Sequence, residues 1–125
     1  MYRILYIDDT PYWRETYEKA FREVGVEIKT LPDADGDIVK EATSFRPDLI
    51  LLDISMPGRN GFEAIRVFKG DEQTKKIPVF FLSNISNPDY IKQGLELGAE
   101  RYLVKGDYEP EEVIKIVSAH VQSKK

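Results

Sequence analysis

Five times along the chain a short, unbroken apolar run gives way to a longer segment whose apolar residues recur at helical spacing. Unbroken rather than alternating runs belong to strands covered on both faces. Strict strand–helix alternation places such strands in a parallel sheet with helices on either side. The runs are Arg3–Asp8, Val26–Thr30, Leu49–Asp53, Pro78–Ser83 and Arg101–Val104. The first helix carries Trp13, Tyr17, Ala20 and Val24 on one face and stops at Gly25. The second carries Ile38, Val39, Ala42 and Phe45 and ends before Pro47. The third opens at Gly61 with Ile65 and Phe68 inward. The fourth runs from about Pro88 to Leu97 and stops at Gly98. The last spans roughly Glu109 to Val121, with three acids in its first turn, where the helix dipole favours negative charge. The expected fold is α/β, a single doubly wound five-stranded parallel sheet with helices on both faces, forming one domain over residues 1–125.

Several function classes fall away on composition. With 125 residues and 42% hydrophobic content the chain can build one real core. Net charge is −4 and the basic residues are scattered, so no basic face for direct nucleic-acid binding is expected. The absence of Cys removes disulfides, thiolate metal sites and thiol catalysis together. No apolar stretch approaches the length of a membrane span, and MYRILYIDD turns acidic too soon for a signal peptide. A cytoplasmic protein without membrane contact, and without an output domain after the last helix, is the expectation.

Right-handed crossovers put all strand C-terminal ends along one edge, and ligands of such sheets bind there. Strand one ends in Asp8-Asp9, strand three in Asp53, strand four in Ser83, and strand five just before Lys105. Any one of these has an ordinary explanation: a lone strand-end Asp or Ser is a helix cap, and a lone Lys a solvated amine. An acid pair, an acid, a hydroxyl and an amine at successive strand ends are hard to explain that way. Carboxylates brought within a few ångström repel one another unless a proton or a cation sits between them. Hard, all-oxygen surroundings favour Mg²⁺, with Mn²⁺ possible, over zinc or copper.

The stretches "YIDD" (Tyr6–Asp9), "LLDISMPGRNGFE" (Leu51–Glu63), "VFFLS" (Val79–Ser83) and "GAERYLVK" (Gly98–Lys105) together resemble the receiver domain of two-component response regulators, over the whole chain. The resemblance implies a flavodoxin-like fold of the receiver type and a phosphorylation-controlled signalling role in a two-component or phosphorelay system. Asp53 then looks like the phosphoacceptor, taking a phosphoryl group from a sensor histidine kinase or phosphotransfer protein. Asp8, Asp9 and Asp53, with the backbone carbonyl of Ser55, would hold Mg²⁺. Lys105 and the Ser83 hydroxyl would contact phosphoryl oxygens, and Ser83 with Tyr102 would form the switch that reshapes the face of the fourth helix, fifth strand and fifth helix for a downstream protein. The domain would catalyse only its own phosphorylation and dephosphorylation.

The sequence departs from that family at two places. Gly106 follows Lys105 where the family usually has Pro, often after a cis bond. A cis bond without proline costs about 2.5–4 kcal/mol, so a trans loop is expected. Asn84 follows Ser83 where a small residue is usual; Asn84, Gly106, Ile85 and Ser55 are the positions expected to tune the site and its phosphoryl lifetime. Trp13 is expected to pack in the helix–sheet seam, His120 to be a surface residue, and Tyr90 and Tyr108 to flank the output face. Two other readings compete. A receiver-like interaction module not regulated by phosphorylation would have its site remodelled by Gly106 and Asn84. An aspartate-nucleophile phosphatase would space its first two acids two apart, whereas Asp8 and Asp9 are adjacent; a flavin module fits worse still, its first loop here being acidic.

Overall fold

In the computed structural model, which describes residues 1–124, elements alternate as the patterning requires. Strands are β1 (Arg3–Ile7), β2 (Glu27–Leu31), β3 (Leu49–Leu52), β4 (Val79–Ser83) and β5 (Arg101–Val104); helices are α1 (Pro11–Glu23), α2 (Ile38–Phe45), α3 (Gly61–Gly70), α4 (Pro88–Glu96) and α5 (Pro110–Ser123). A 3-10 turn, Lys105–Asp107, joins β5 to the loop before α5. All pairings are parallel, in the order β2-β1-β3-β4-β5. The chain reverses direction across the sheet between β1 and β3, and that switch point opens the ligand crevice.

Alternate side chains of each strand feed two separate cores. Ile4 and Tyr6, Leu49 and Leu51, Phe80 and Leu82 pack with Tyr17 and Phe21 of α1 and Val113, Val117 and Val121 of α5. Leu5 and Ile7, Ile50 and Leu52, Val79 and Phe81 pack with Ile38 and Ala42 of α2 and Ala64, Ile65 and Phe68 of α3. Every residue of β3 is buried, as the Leu49–Leu52 run demands of a central strand. At about 1.5–3 kcal/mol for each fully buried aliphatic side chain, this strand alone is a large share of what holds the sheet.

Helix starts are set by local chemistry. Asn60 caps α3 by accepting from the Glu63 amide, while Glu63 returns the bond to Asn60; Asn87 and Asp37 cap α4 and α2. The second helix ends before Pro47 as expected, with Arg46 in the left-handed region as its C-terminal cap. Two expectations need correction. Val24 lies past the end of α1 and is mostly exposed, because Gly25, at φ +82°, has already turned the chain. His120 is half-buried, with Nε2 2.6 Å from Glu100 Oε2 and its ring against Phe80.

Candidate functional site

Each strand end delivers one group to the sheet's C-terminal edge. Asp8 and Asp53 follow the neighbouring strands β1 and β3, and Asp9 is next to Asp8. One oxygen from each of the three carboxylates lies within 4.8 Å of the others. Asp8 is fully buried, Asp53 is 5% exposed and Asp9 is half-buried. From the 3-10 turn after β5, Lys105 reaches back and is itself buried, with Nζ 2.7 Å from Asp8 Oδ2 and 3.6 Å from Asp53 Oδ2.

The oxygens of Asp8 are closely held. Oδ2 accepts from the Tyr6 hydroxyl at 2.5 Å as well as from Lys105, Oδ1 accepts from the Thr10 amide at 2.9 Å, and Arg14 donates to the Asp8 carbonyl at 2.8 Å. Burial, then the neighbouring Asp8 carboxylate, pushes the Tyr6 phenol far up, so it remains a donor. Asp53 is tied differently: Oδ1 accepts from the Ile54 amide at 2.8 Å, leaving Oδ2 toward Lys105. Burial raises Asp53 to about 6; Lys105 opposes the rise, and Asp8 adds to it.

Three ionised carboxylates against one ammonium leave the cluster two charges negative. Closely set oxygen donors with that residual charge fit a hard divalent cation such as Mg²⁺. Asp8, Asp9 and Asp53 are the residues able to hold it.

The remaining expected residues are placed as follows. Ser83 is buried at the end of β4, and its Oγ accepts from the Ile85 amide at 3.1 Å. Tyr102, on β5, donates from its hydroxyl to the Ile85 carbonyl at 2.6 Å, so both residues expected to form the switch meet the half-buried Ile85. Burial raises the Tyr102 phenol, with Ser83 working against the rise. Ser55 and Asn84 are exposed. Ser55 lines a groove with Met56, Phe62, Ile85 and Tyr90. The Lys105–Gly106 bond is trans, as the missing proline suggests, since no cis bond occurs among the described residues.

Two site residues were not legible as such. Tyr6 sits two residues before Asp8 on one strand and so shares its face, a spacing that could have pointed to it. Trp13 does more than fill a seam: Lys105 Nζ lies 5.0 Å from its ring centroid.

Comparison with known proteins agrees with this geometry. A family model described as the response regulator receiver domain matches residues 4–118. The gliding motility regulatory protein of Myxococcus xanthus is 35% identical over 105 residues, which cover 84% of this chain and 13% of that protein. Protein PilG of Pseudomonas aeruginosa is 30% identical over 121 residues, covering 97% of this chain and 88% of PilG. The solved structure of the chemotaxis protein CheY4 of Vibrio cholerae matches with a TM-score of 0.85 at 28% identity, covering 95% of this chain and 98% of that one. The chain spans about half or less of the length of the first curated relatives it matches. With the matched model running through all five strands and every acid of the edge, the chain belongs to the response regulator receiver domain family.

Proposed function

We propose that the domain is switched by phosphorylation of Asp53, with the phosphoryl group supplied by a phosphohistidine on a sensor histidine kinase or phosphotransfer protein. The observation that carries this reading is the convergence of Asp8, Asp9 and Asp53 within 4.8 Å, with the Lys105 ammonium on the same cluster. Asp53 Oδ2, not engaged by the Ile54 amide, is the oxygen available to attack phosphorus. The phosphorus–oxygen bond to Asp53 forms as the phosphorus–nitrogen bond breaks, and the donor imidazole leaves with the bonding pair. Mg²⁺ held by Asp8, Asp9 and Asp53 would supply charge cancellation on the phosphoryl oxygens. Lys105 supplies a second positive charge, moving from carboxylate to phosphoryl oxygen as the latter becomes the more charged partner. The buried Ser83 hydroxyl contributes a further contact, and Ser55, Asn84 and Ile85 tune how long the product lasts.

The altered surface is that of α4, β5 and α5, which serves a downstream protein rather than nucleic acid. Ser83 and Tyr102, both bonded to the Ile85 backbone, link it to the site. No helix among the described residues is long and apolar enough to cross a membrane, which accords with a cytoplasmic location. The reading as an unphosphorylated interaction module is disfavoured by an undisturbed acid cluster: Gly106 leaves Lys105 buried and paired, and Asn84 points no charge at it.

Intact-mass spectrometry after incubation with acetyl phosphate and Mg²⁺ tests the proposal. One added phosphoryl mass is expected for the native chain and none for Asp53→Asn, with decay of the label altered in Asn84→Ala. A native chain that gains no mass would overturn it.

A further inference from the structure

Lys105 presents a problem that the carboxylates do not solve alone. A buried ammonium needs compensation on every side, yet groups that bind it too firmly would keep it from an arriving phosphoryl group. Asp8 and Asp53 engage it at 2.7 and 3.6 Å. The chain offers no rigid backbone anchor in the next residue, since Gly106 is exposed and a side chain there would meet nothing within 4 Å. The ammonium also lies over the Trp13 ring, 5.0 Å from Nζ to centroid.

That ring is itself held. Trp13 is half-buried in the first turns of α1, where Tyr12 meets it edge-on at 5.0 Å and Tyr17 lies against it at 6.1 Å. Tyr17 in turn packs edge-on against Tyr6, the donor to Asp8. One row of aromatic rings therefore runs beneath both the acid and the base of the site.

We infer that Trp13 is a positioning residue for Lys105, its indole face forming the third side of the lysine's seat in place of the proline-stiffened loop this chain lacks. This inference rests on the proposed phosphoryl-transfer role of Lys105. The choice of a π face matters chemically. A third carboxylate would hold the ammonium by directed hydrogen bonds and make the cluster still more negative, competing with the phosphoryl oxygens. An indole attracts the cation through its quadrupole, takes up none of its N–H bonds, and leaves the group free to pivot toward new charge. Desolvation strengthens the contact, and Lys105 is among the most buried charged groups of the chain. Trp13 touches no reacting atom; it acts through Lys105.

The chain contains a single Trp, so its emission reports the surroundings of this one ring, and Lys105→Met isolates the ammonium's share. An ammonium against an indole face alters its emission, and metal-free Lys105→Met is expected to differ clearly from the native chain in intensity or wavelength. Beryllofluoride with Mg²⁺ is expected to shift the native emission and to leave most of that response absent in Lys105→Met. In parallel, Trp13→Leu is expected to slow phosphorylation by acetyl phosphate about 3- to 10-fold, the effect of losing a desolvated cation–π contact, while Trp13→Phe, which keeps a π face, recovers much of the rate. A purely structural Trp13 would make the two variants alike after correction for stability. Resting emission that is the same with and without Lys105, or equal rates in Trp13→Leu and the native chain, overturns the inference. Failure of the native chain to be phosphorylated would instead count against the role of Asp53, and the metal-free emission comparison, which needs no phosphorylation, would still decide the seat. The same comparison decides if Trp13→Leu fails to fold.

Discussion

Asp53 combines two demands that pull apart. To accept phosphorus it must be ionised, yet burial holds it up to about 6, with Lys105 only partly offsetting this. A carboxyl raised from its ordinary value stabilises the folded state most below that ordinary value, near 3.8, and loses this contribution as pH rises through about 6. The metal-free protein therefore carries, at neutral pH, a cost for keeping Asp53 ionised on the order of 2–3 kcal/mol, chiefly from burial with the Asp8 charge adding to it, which a bound divalent cation would relieve. Asp53→Asn removes the titration while keeping the shape. Without metal, its unfolding free energy is expected to exceed that of the native chain at pH 7.5 and to approach it toward pH 4. With Mg²⁺ present, the native chain should gain far more than the variant. Urea unfolding at several pH values measures this; a difference between the two proteins that does not vary with pH would contradict it.

At the scale of elements, the strands and helices were readable because each obeys one period, and the boundaries moved by a residue or two. Asp8 and Asp53 fall just beyond β1 and β3, although their amides still donate to Leu31 and Ile7, and Pro78, without an N–H, stands outside β4. The acids, hydroxyl and amine could be read because each sits at a strand end, a position that topology converts into proximity. Trp13 could not, since an aromatic in an amphipathic helix looks the same whether it faces aliphatics or a charged group, and for Tyr6 only its spacing of two from Asp8 offered a signal. Junctions between elements also escaped the sequence. Gly61 opens α3 against the backbone of Asp53: a Cβ there would stand 2.3 Å from the Asp53 carbonyl oxygen and 2.7 Å from Ile54 Cα, and its amide donates to the Ile54 carbonyl. Those are backbone atoms and cannot step aside. Gly61→Ala should cost about 1–3 kcal/mol in urea unfolding, with the helix start forced away from the β3 end. A midpoint equal to that of the native chain would show that the junction is looser than its distances imply.

Across the whole molecule the proposed switch requires a charge change at one sheet edge to reach a surface built from α4 and β5. The physical continuity is aromatic. Tyr90 of α4 lies against Phe62 of α3, Phe62 meets Phe81 of β4 edge-on, and Phe81 lies against Tyr102 of β5, with centroids 5.6, 5.7 and 5.9 Å apart. Gly94 lets α4 approach closely, since a Cβ there would be 3.0 Å from the Phe81 ring and 3.3 Å from Tyr102. Tyr102 closes the path by donating to the carbonyl of Ile85, whose amide is bonded to Ser83. Any pull of Ser83 toward a phosphoryl group therefore acts on the same peptide segment that Tyr102 grips. A packed arrangement of this kind has discrete alternatives rather than a continuous range, which is what a two-state switch requires. Tyr102→Ala removes both the ring contact and the grip while leaving Asp8, Asp9, Asp53 and Lys105 in place. It is expected to take up phosphoryl mass from acetyl phosphate at close to the native rate. Its response to beryllofluoride with Mg²⁺, followed by backbone amide chemical shifts, should stay near residues 53–60 and 83–85, whereas the native response should extend through α4 to Leu97. If the shifts along α4 are as large in Tyr102→Ala as in the native chain, the signal leaves the site by another route, and the tyrosine is only a strand residue with a good hydrogen bond.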